Sequence, residues 1–235
     1  LISMSTALVK YIQSELATLA DPVKAEEMAA YMRTEMPFYG VQKPDRVPLI
    51  REMKKRFPPV SLSDYQRNVL ALWQLEHREE KYLAINYADS FKQYMIPQAV
   101  PLFERLVREG QWWDFVDPIA SWLVGRTLLS HEESLRPVIE TYVQDEDFWI
   151  RRTALLAHLG HKKMTNSEAL FRYCTTLAGE KEFFIRKAIG WALREYSKSE
   201  PEKVSRYLKK NADNLSPLSY KEGAKHLVKM GLLKL

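Results

Sequence analysis

Two stretches of this chain repeat each other at a distance. FWIRRTALLAHL begins at Phe148 and FFIRKAIGWALR at Phe183, with Phe, Ile, Arg and a later Ala in matching places 35 residues apart. A further step of 35 back lands on Trp113, at the start of WDFVD. A fixed period of this length is the mark of stacked structural units, each too small to bury its own apolar face and each completed by its neighbour. The alternative is chance likeness between amphipathic helices.

The rest of the chain fits stacked helices. Glycine is scarce, 8 in 235 residues, and apolar residues recur at three and four rather than two. Prolines and short polar breaks divide the chain into about a dozen helical segments: 5–19, 22–36, 45–57, 63–75, 78–94, 98–109, 114–128, 131–143, 147–158, 165–178, 182–198, 201–211 and 217–230. Short connections make successive helices antiparallel neighbours. The expected fold is all-α, a HEAT-like helical-repeat solenoid (an α-α superhelix). One domain is expected over residues 4–235, with Leu1-Ile2-Ser3 ahead of Met4 read as vector residue or upstream read-through.

Composition narrows the function classes. No apolar run approaches the roughly 18 residues of a bilayer span, and no signal-peptide pattern is present, so a soluble cytoplasmic protein without membrane contact is expected. A single cysteine, Cys174, excludes an internal disulfide and a thiolate zinc site; in the apolar-periodic LFRYCTTL it reads as a core thiol. His158 and His161 have ligand-like spacing but no evident third ligand, and no Walker loop, dinucleotide fingerprint or HExxH occurs. Neither a metal nor a cofactor is therefore expected. From Lys181 onward thirteen Lys/Arg face six Asp/Glu, a net of +7 in a chain of +5 overall. Such asymmetry points to an acidic partner, most often nucleic acid, against the plainer reading of a solvated lysine-rich surface.

On a helical wheel, Ile185, Ile189, Ala192, Leu193 and Tyr196 of segment 182–198 form a core face, while Phe183, Lys187, Trp191, Arg194 and Lys198 fall opposite. Cations interleaved with aromatic rings suit a nucleic-acid backbone, unless the next repeat covers Trp191. The repeat register adds a second inference. Asp117, Arg152 and Lys187 each stand four residues after the leading aromatic, which would place them on one ridge. In QWWDFVDP, Pro118 is tolerated only near a helix start, making Asp114 the expected N-cap and Asp117 a first-turn residue whose pKa the helix dipole would lower. An ionised carboxylate beside an exposed ring suits a cationic ligand.

Longer stretches add a resemblance. KAEEMAAYMR and YGVQKPDR near the N-terminus, LWQLEHREEKYLAINY at 72–87, WWDFVD at 112–117, WIRRTALL at 149–156, KEFFIRKAIGWALREYSK at 181–198 and LSPLSYKEGAKHL at 215–227 together resemble the bacterial AlkD-type DNA alkylation repair proteins, HEAT-like-repeat DNA glycosylases. The resemblance covers nearly the whole chain. It implies that Asp117 is the catalytic aspartate and that Trp113 and Trp191 flank the sugar of the lesion. It also implies that Arg152 is an active-site arginine near the DNA backbone and Arg194 a basic residue on the same concave DNA-binding face of the solenoid, with Tyr31 and Gln42 as N-terminal residues near the DNA. Inactive paralogues tend to lack the aspartate or a tryptophan, and this chain keeps all three; Pro118 departs from the family pattern.

The implied activity is hydrolysis of the N-glycosidic bond of N3- and N7-alkylated purines in duplex DNA, in base excision repair. The protein is expected to act without a base-specific flipping pocket, as a monomer associated with the bacterial nucleoid. The rival readings are a non-catalytic HEAT-repeat protein that binds damaged or branched DNA and a protein-scaffolding solenoid.

Overall fold

The computed structural model describes residues 3–235, so the reading of Leu1 and Ile2 lies outside the described residues. Ser3, by contrast, belongs to the fold: its hydroxyl accepts the Thr6 N–H at 3.2 Å and caps α1 (Met4–Thr18). Every regular element among the described residues is helical, and the Cα positions divide into two compact units, up to Leu102 and from Phe103 on.

The first unit holds α1, α2 (Pro22–Met32), α3 (Lys43–Arg56), α4 (Leu62–Trp73) and α5 (Arg78–Ser90). Leu8, Ile12 and Leu16 of α1 and Val69, Leu72 and Leu83 of α4 and α5 are fully buried, as the three-and-four spacing requires. The expected helix 22–36 stops short at Met32, because Arg33 turns left-handed (φ 52°, ψ 49°) and returns its N–H to the carbonyls of Ala29 and Ala30. The chain beyond is held by side chains of α5. The buried Glu79 carboxylate accepts the N–H groups of Tyr39, Gly40 and Val41 at 3.0, 2.8 and 3.0 Å, and Glu80 accepts the Tyr39 hydroxyl at 2.8 Å. Gly40 has φ +90°, and a Cβ there would stand 2.0 Å from the Asp21 carbonyl oxygen, so only glycine fits. Two sequence blocks some forty residues apart, YGV and HREE, thus form one structural joint.

In the second unit the repeat is visible in the helix starts. After α6 (Val100–Gly110), whose first residues belong to the first unit, come α7 (Trp113–Pro118), a π-helical stretch Ile119–Val124 and α8 (Gly125–Ser130). They are followed by α9 (Glu132–Tyr142), α10 (Phe148–Leu156), α11 (Ser167–Leu177), α12 (Phe183–Ser197), α13 (Pro201–Lys210) and α14 (Pro217–Lys229). The N-caps of α7, α10 and α12 are Trp112, Asp147 and Glu182, which keeps the 35-residue register of the sequence. These helices form a row, α7 against α10, α10 against α12 and α12 against α14, with α9, α11 and α13 as the alternate members of the pairs. This is the helical-repeat packing expected.

The start of α7 differs from expectation in a way that matters below. Gln111 takes a positive φ of 51° and Trp112 is extended, so the helix begins at Trp113. Asp114 is therefore not the cap but the second helical residue, and Asp117 is the fifth, past the first turn. Pro118 sits inside the helix and is followed at once by the wider π winding, where Gly125 returns its N–H to the Ala120 carbonyl five residues back. The Ser121 hydroxyl donates to the Asp117 carbonyl at 2.8 Å across this stretch. At its far end a Cβ on Gly125 would stand 2.6 Å from the Ala157 carbonyl oxygen, so the glycine admits the end of α10. The Gly125 carbonyl accepts from His161 Nε2 at 2.7 Å, which fixes the proton of that imidazole on Nε2.

Candidate active site

The wheel drawn for α12 holds. Ile185, Ile189, Ala192, Leu193 and Tyr196 are buried, while Phe183, Lys187, Trp191, Arg194 and Lys198 are exposed or half-buried. The first four of that outward set line a cleft of about 390 Å³ together with Trp113 and Asp117 of α7, Arg152 of α10 and Glu222 of α14. The second unit alone thus gathers Asp117, Trp113, Trp191, Arg152, Lys187, Arg194 and Phe183 in one place. Three residues named from sequence lie elsewhere: Lys198 is exposed outside the cleft and pairs with Glu195 at 2.6 Å, while Tyr31 and Gln42 are exposed in the first unit.

Asp117 and Arg152 form the polar floor. Arg152 grips the carboxylate with two parallel hydrogen bonds, Nε to Oδ1 at 2.9 Å and Nη2 to Oδ2 at 3.0 Å. Its remaining edge donates to the Phe184 carbonyl, and its guanidinium lies 5.6 Å from the centre of the Phe184 ring. Only 5% of the Arg152 side chain and 15% of that of Asp117 reach solvent. Arg152 is therefore a buried clamp on the carboxylate rather than a surface cation presented to a phosphate. The fork is a planar, bidentate contact that a lysine could not make.

The electrostatics also correct the expectation for Asp117. Burial raises its pKa above the ordinary carboxylate value; Arg152 pulls it down through hydrogen bonding and charge, and neighbouring Asp114 pushes it up again, leaving it raised. The expected lowering by the helix dipole does not prevail, because Asp117 stands beyond the first turn, where that field fades.

Sequence reading missed two participants. Phe184 joins Trp112, Phe148 and Trp149 in an aromatic cluster, with ring centres 5.5, 6.3 and 4.7 Å from its own, and this fixes the segment whose carbonyl holds Arg152. Glu222 is the other. It binds Arg194 at 2.9 Å, Lys225 at 3.2 Å and Lys187 at 3.5 Å. Burial pushes its pKa up, but the hydrogen bond from Lys225 and the charges of Lys187, Lys225 and Arg194 outweigh that and leave it lowered. The signal was available: one more step of 35 from Lys187 lands on Glu222. Gly190 lets α14 approach this closely, since a Cβ there would meet the Glu222 Cβ at 2.5 Å.

The sequence model of the DNA alkylation repair enzymes matches residues 12–227, which include the whole cleft. The chain belongs to the DNA alkylation repair enzyme family. The fold is also similar to that of a solved structure from Enterococcus faecalis described as a predicted DNA alkylation repair enzyme. The two share 33% identity at a TM-score of 0.81, over 89% of this chain and 97% of that one. No curated protein matches the sequence. Membership in this family carries a role in DNA repair and, with it, DNA binding.

The remaining candidates have structural roles. Cys174 is fully buried, and burial pushes its thiol well above the ordinary range. His158 is buried against Tyr173 and 3.0 Å from Arg136, and burial with the charge of Arg136 lowers its pKa to about 3. Among the described residues no helix is long and apolar enough to cross a membrane.

Proposed function

We propose that this repair protein is a monofunctional DNA glycosylase, acting as a monomer on duplex DNA that carries N3- or N7-alkylated purines. One observation carries the reading: a carboxylate clamped in a bidentate fork at the floor of a cleft whose walls include two tryptophans. Alkylation at a purine ring nitrogen makes the base cationic and a good leaving group, so no general acid is needed. The glycosidic bond breaks toward an oxocarbenium-like sugar. Asp117 stabilises that charge and orients the attacking water, and Trp113 and Trp191 turn their ring faces to the cationic sugar. Arg152 keeps both carboxylate oxygens aimed. The cleft offers rings and charges but no donor–acceptor set matched to one base, which supports recognition of the charge on the lesion over base identity.

The test is base release from methylated duplex DNA. Asp117→Asn keeps an acceptor for Arg152 but loses the charge, so duplex binding persists while excision of 7-methylguanine falls by about 100-fold or more. Wild-type excision by this variant would refute the assignment, and efficient release of the neutral base hypoxanthine by the wild type would refute the charge argument. Because the ionised form acts, excision declines as pH falls through the raised pKa of Asp117.

A further inference from the structure

In the cleft three cations, Arg152, Lys187 and Arg194, face two acids, Asp117 and Glu222, which leaves a single positive charge. Most of the basic surplus of the C-terminal part therefore lies elsewhere, and much of it lies on α13. Lys203, Arg206 and Lys210 occupy one face of that helix at three- and four-residue spacing, and none pairs with an acid among the described residues. They line a second groove, of about 570 Å³, formed with α11, which adds Arg172. The two grooves share no residue and belong to different members of the helix pairs, α11 and α13 here against α7, α10, α12 and α14 in the cleft.

We propose that the α11–α13 groove is a second nucleic-acid site, one that takes the sugar–phosphate backbone of duplex DNA. The three cations are spread over about 10 Å of helix at 1.5 Å per residue, long enough to follow successive phosphates of one strand. Arg206 can take a phosphate through two parallel bonds, and the lysines act as point charges. Between them Phe171 lies flat on Tyr207, ring centres 4.5 Å apart and 10° from parallel, and the Tyr207 hydroxyl is 2.9 Å from that of Thr175. This floor is aromatic and partly polar, and the cations that flank it favour a phosphate backbone over an uncharged protein surface. Arg172 is paired with Glu140 and with Glu168, which also lines the groove, so three cations and not four are unpaired there to meet the strand. The proposal rests on the DNA-repair role of the family and not on the glycosylase chemistry.

The experiment uses the full chain and a short undamaged duplex of about 12 base pairs. Sedimentation or mass photometry counts duplexes per protein at low salt, beside the triple variant Lys203→Glu, Arg206→Glu and Lys210→Glu. Two duplexes are expected on the wild type and one on the triple variant, with the second binding event weakened at least tenfold. That event should carry a salt slope near −2.7, about 0.9 for each of three phosphates. The three side chains are exposed, and the neutral Gln triple variant, expected to weaken the same event less, guards against loss of folding. A single duplex on the wild type, or two retained by the charge-reversed variant, overturns the proposal. So does occupancy of the groove by hexaglutamate with no second duplex, which would mark it as a site for an acidic protein segment. Base release by the triple variant should match the wild type at saturating substrate, so a failure here and a failure of the Asp117 assignment read out separately.

Discussion

Replacing Arg152 by Met tests the central contact. The substitution leaves a carboxylate that is largely enclosed and has lost both of its fork bonds, whereas the methionine fills much of the vacated space. Removing one partner of a buried pair costs about 3–5 kcal/mol, most of it the penalty of the stranded charge. With 15% of the Asp117 side chain still in contact with water, the lower end applies, about 3 kcal/mol. For a chain of this size that corresponds to a loss of roughly 6–12 °C in Tm.

The pH dependence gives the diagnostic. Asp117 already has a folded-state pKa above its unfolded one, so its contribution to stability is full at low pH and is lost as pH rises through the folded value. Without Arg152 that value rises further and the window widens upward. The Arg152→Met variant should thus lie closest to the wild type in acid and fall away toward neutrality. Thermal melts followed by circular dichroism from pH 5 to pH 8 measure this, with Asp117→Asn/Arg152→Met as the control. Having no charge to strand, the double variant should lose less than the single one near neutrality. A loss below about 1 kcal/mol, or one independent of pH, would sink the claim that Arg152 holds a buried, ionised carboxylate.

Other consequences are separable from this one. Glu222→Gln releases Lys187 and Arg194 toward the DNA, so affinity for an abasic duplex should rise several-fold, up to about tenfold, while steady-state turnover slows and single-turnover excision does not. Weaker binding by fluorescence anisotropy would mean that Glu222 positions the cations instead of competing for them. Gly190→Ala would stabilise an exposed helix by up to about 1 kcal/mol, but here its Cβ would meet Glu222 and α14, at a cost of about 1–3 kcal/mol. Net destabilisation is expected in chemical denaturation, and a stabilised variant would contradict the close approach.

The sequence contained more of the site than of its wiring. The 35-residue period carried Asp117, Arg152 and Lys187 to one cleft because helices that start one period apart and stack in a row put equivalent positions side by side, and the wheel of α12 sorted its faces correctly because its winding is regular. What stayed hidden depends on contacts between helices far apart in the chain. The fork from Arg152 to Asp117 spans 35 residues, and the raised pKa follows from burial that only packing creates. Asp114 was misplaced as a cap because the turn at Gln111 and Trp112 uses backbone angles that neither residue type announces. The early end of α2 has a similar cause in the left-handed Arg33.

The π winding at Ile119–Val124 has a bearing on how such a site could arise or be lost. Each residue of an α-helix advances the phase by about 100°, whereas the wider π winding advances it by less, so one turn of it takes up a residue more than the regular winding needs and leaves the helix on either side nearly in phase. Gly125 is pinned against Ala157 and His161 at one end, and Trp113 and Asp117 project from the other. Deleting a single residue from Ile119–Val124 would return the stretch to ordinary winding with the tryptophan and the carboxylate still facing Arg152, whereas the same deletion in a regular stretch would swing them by about a quarter-turn. The wide turn is thus the one place in this helix where chain length can change by a residue while the aim of the carboxylate is kept, and a relative with one residue fewer there would still form the cleft.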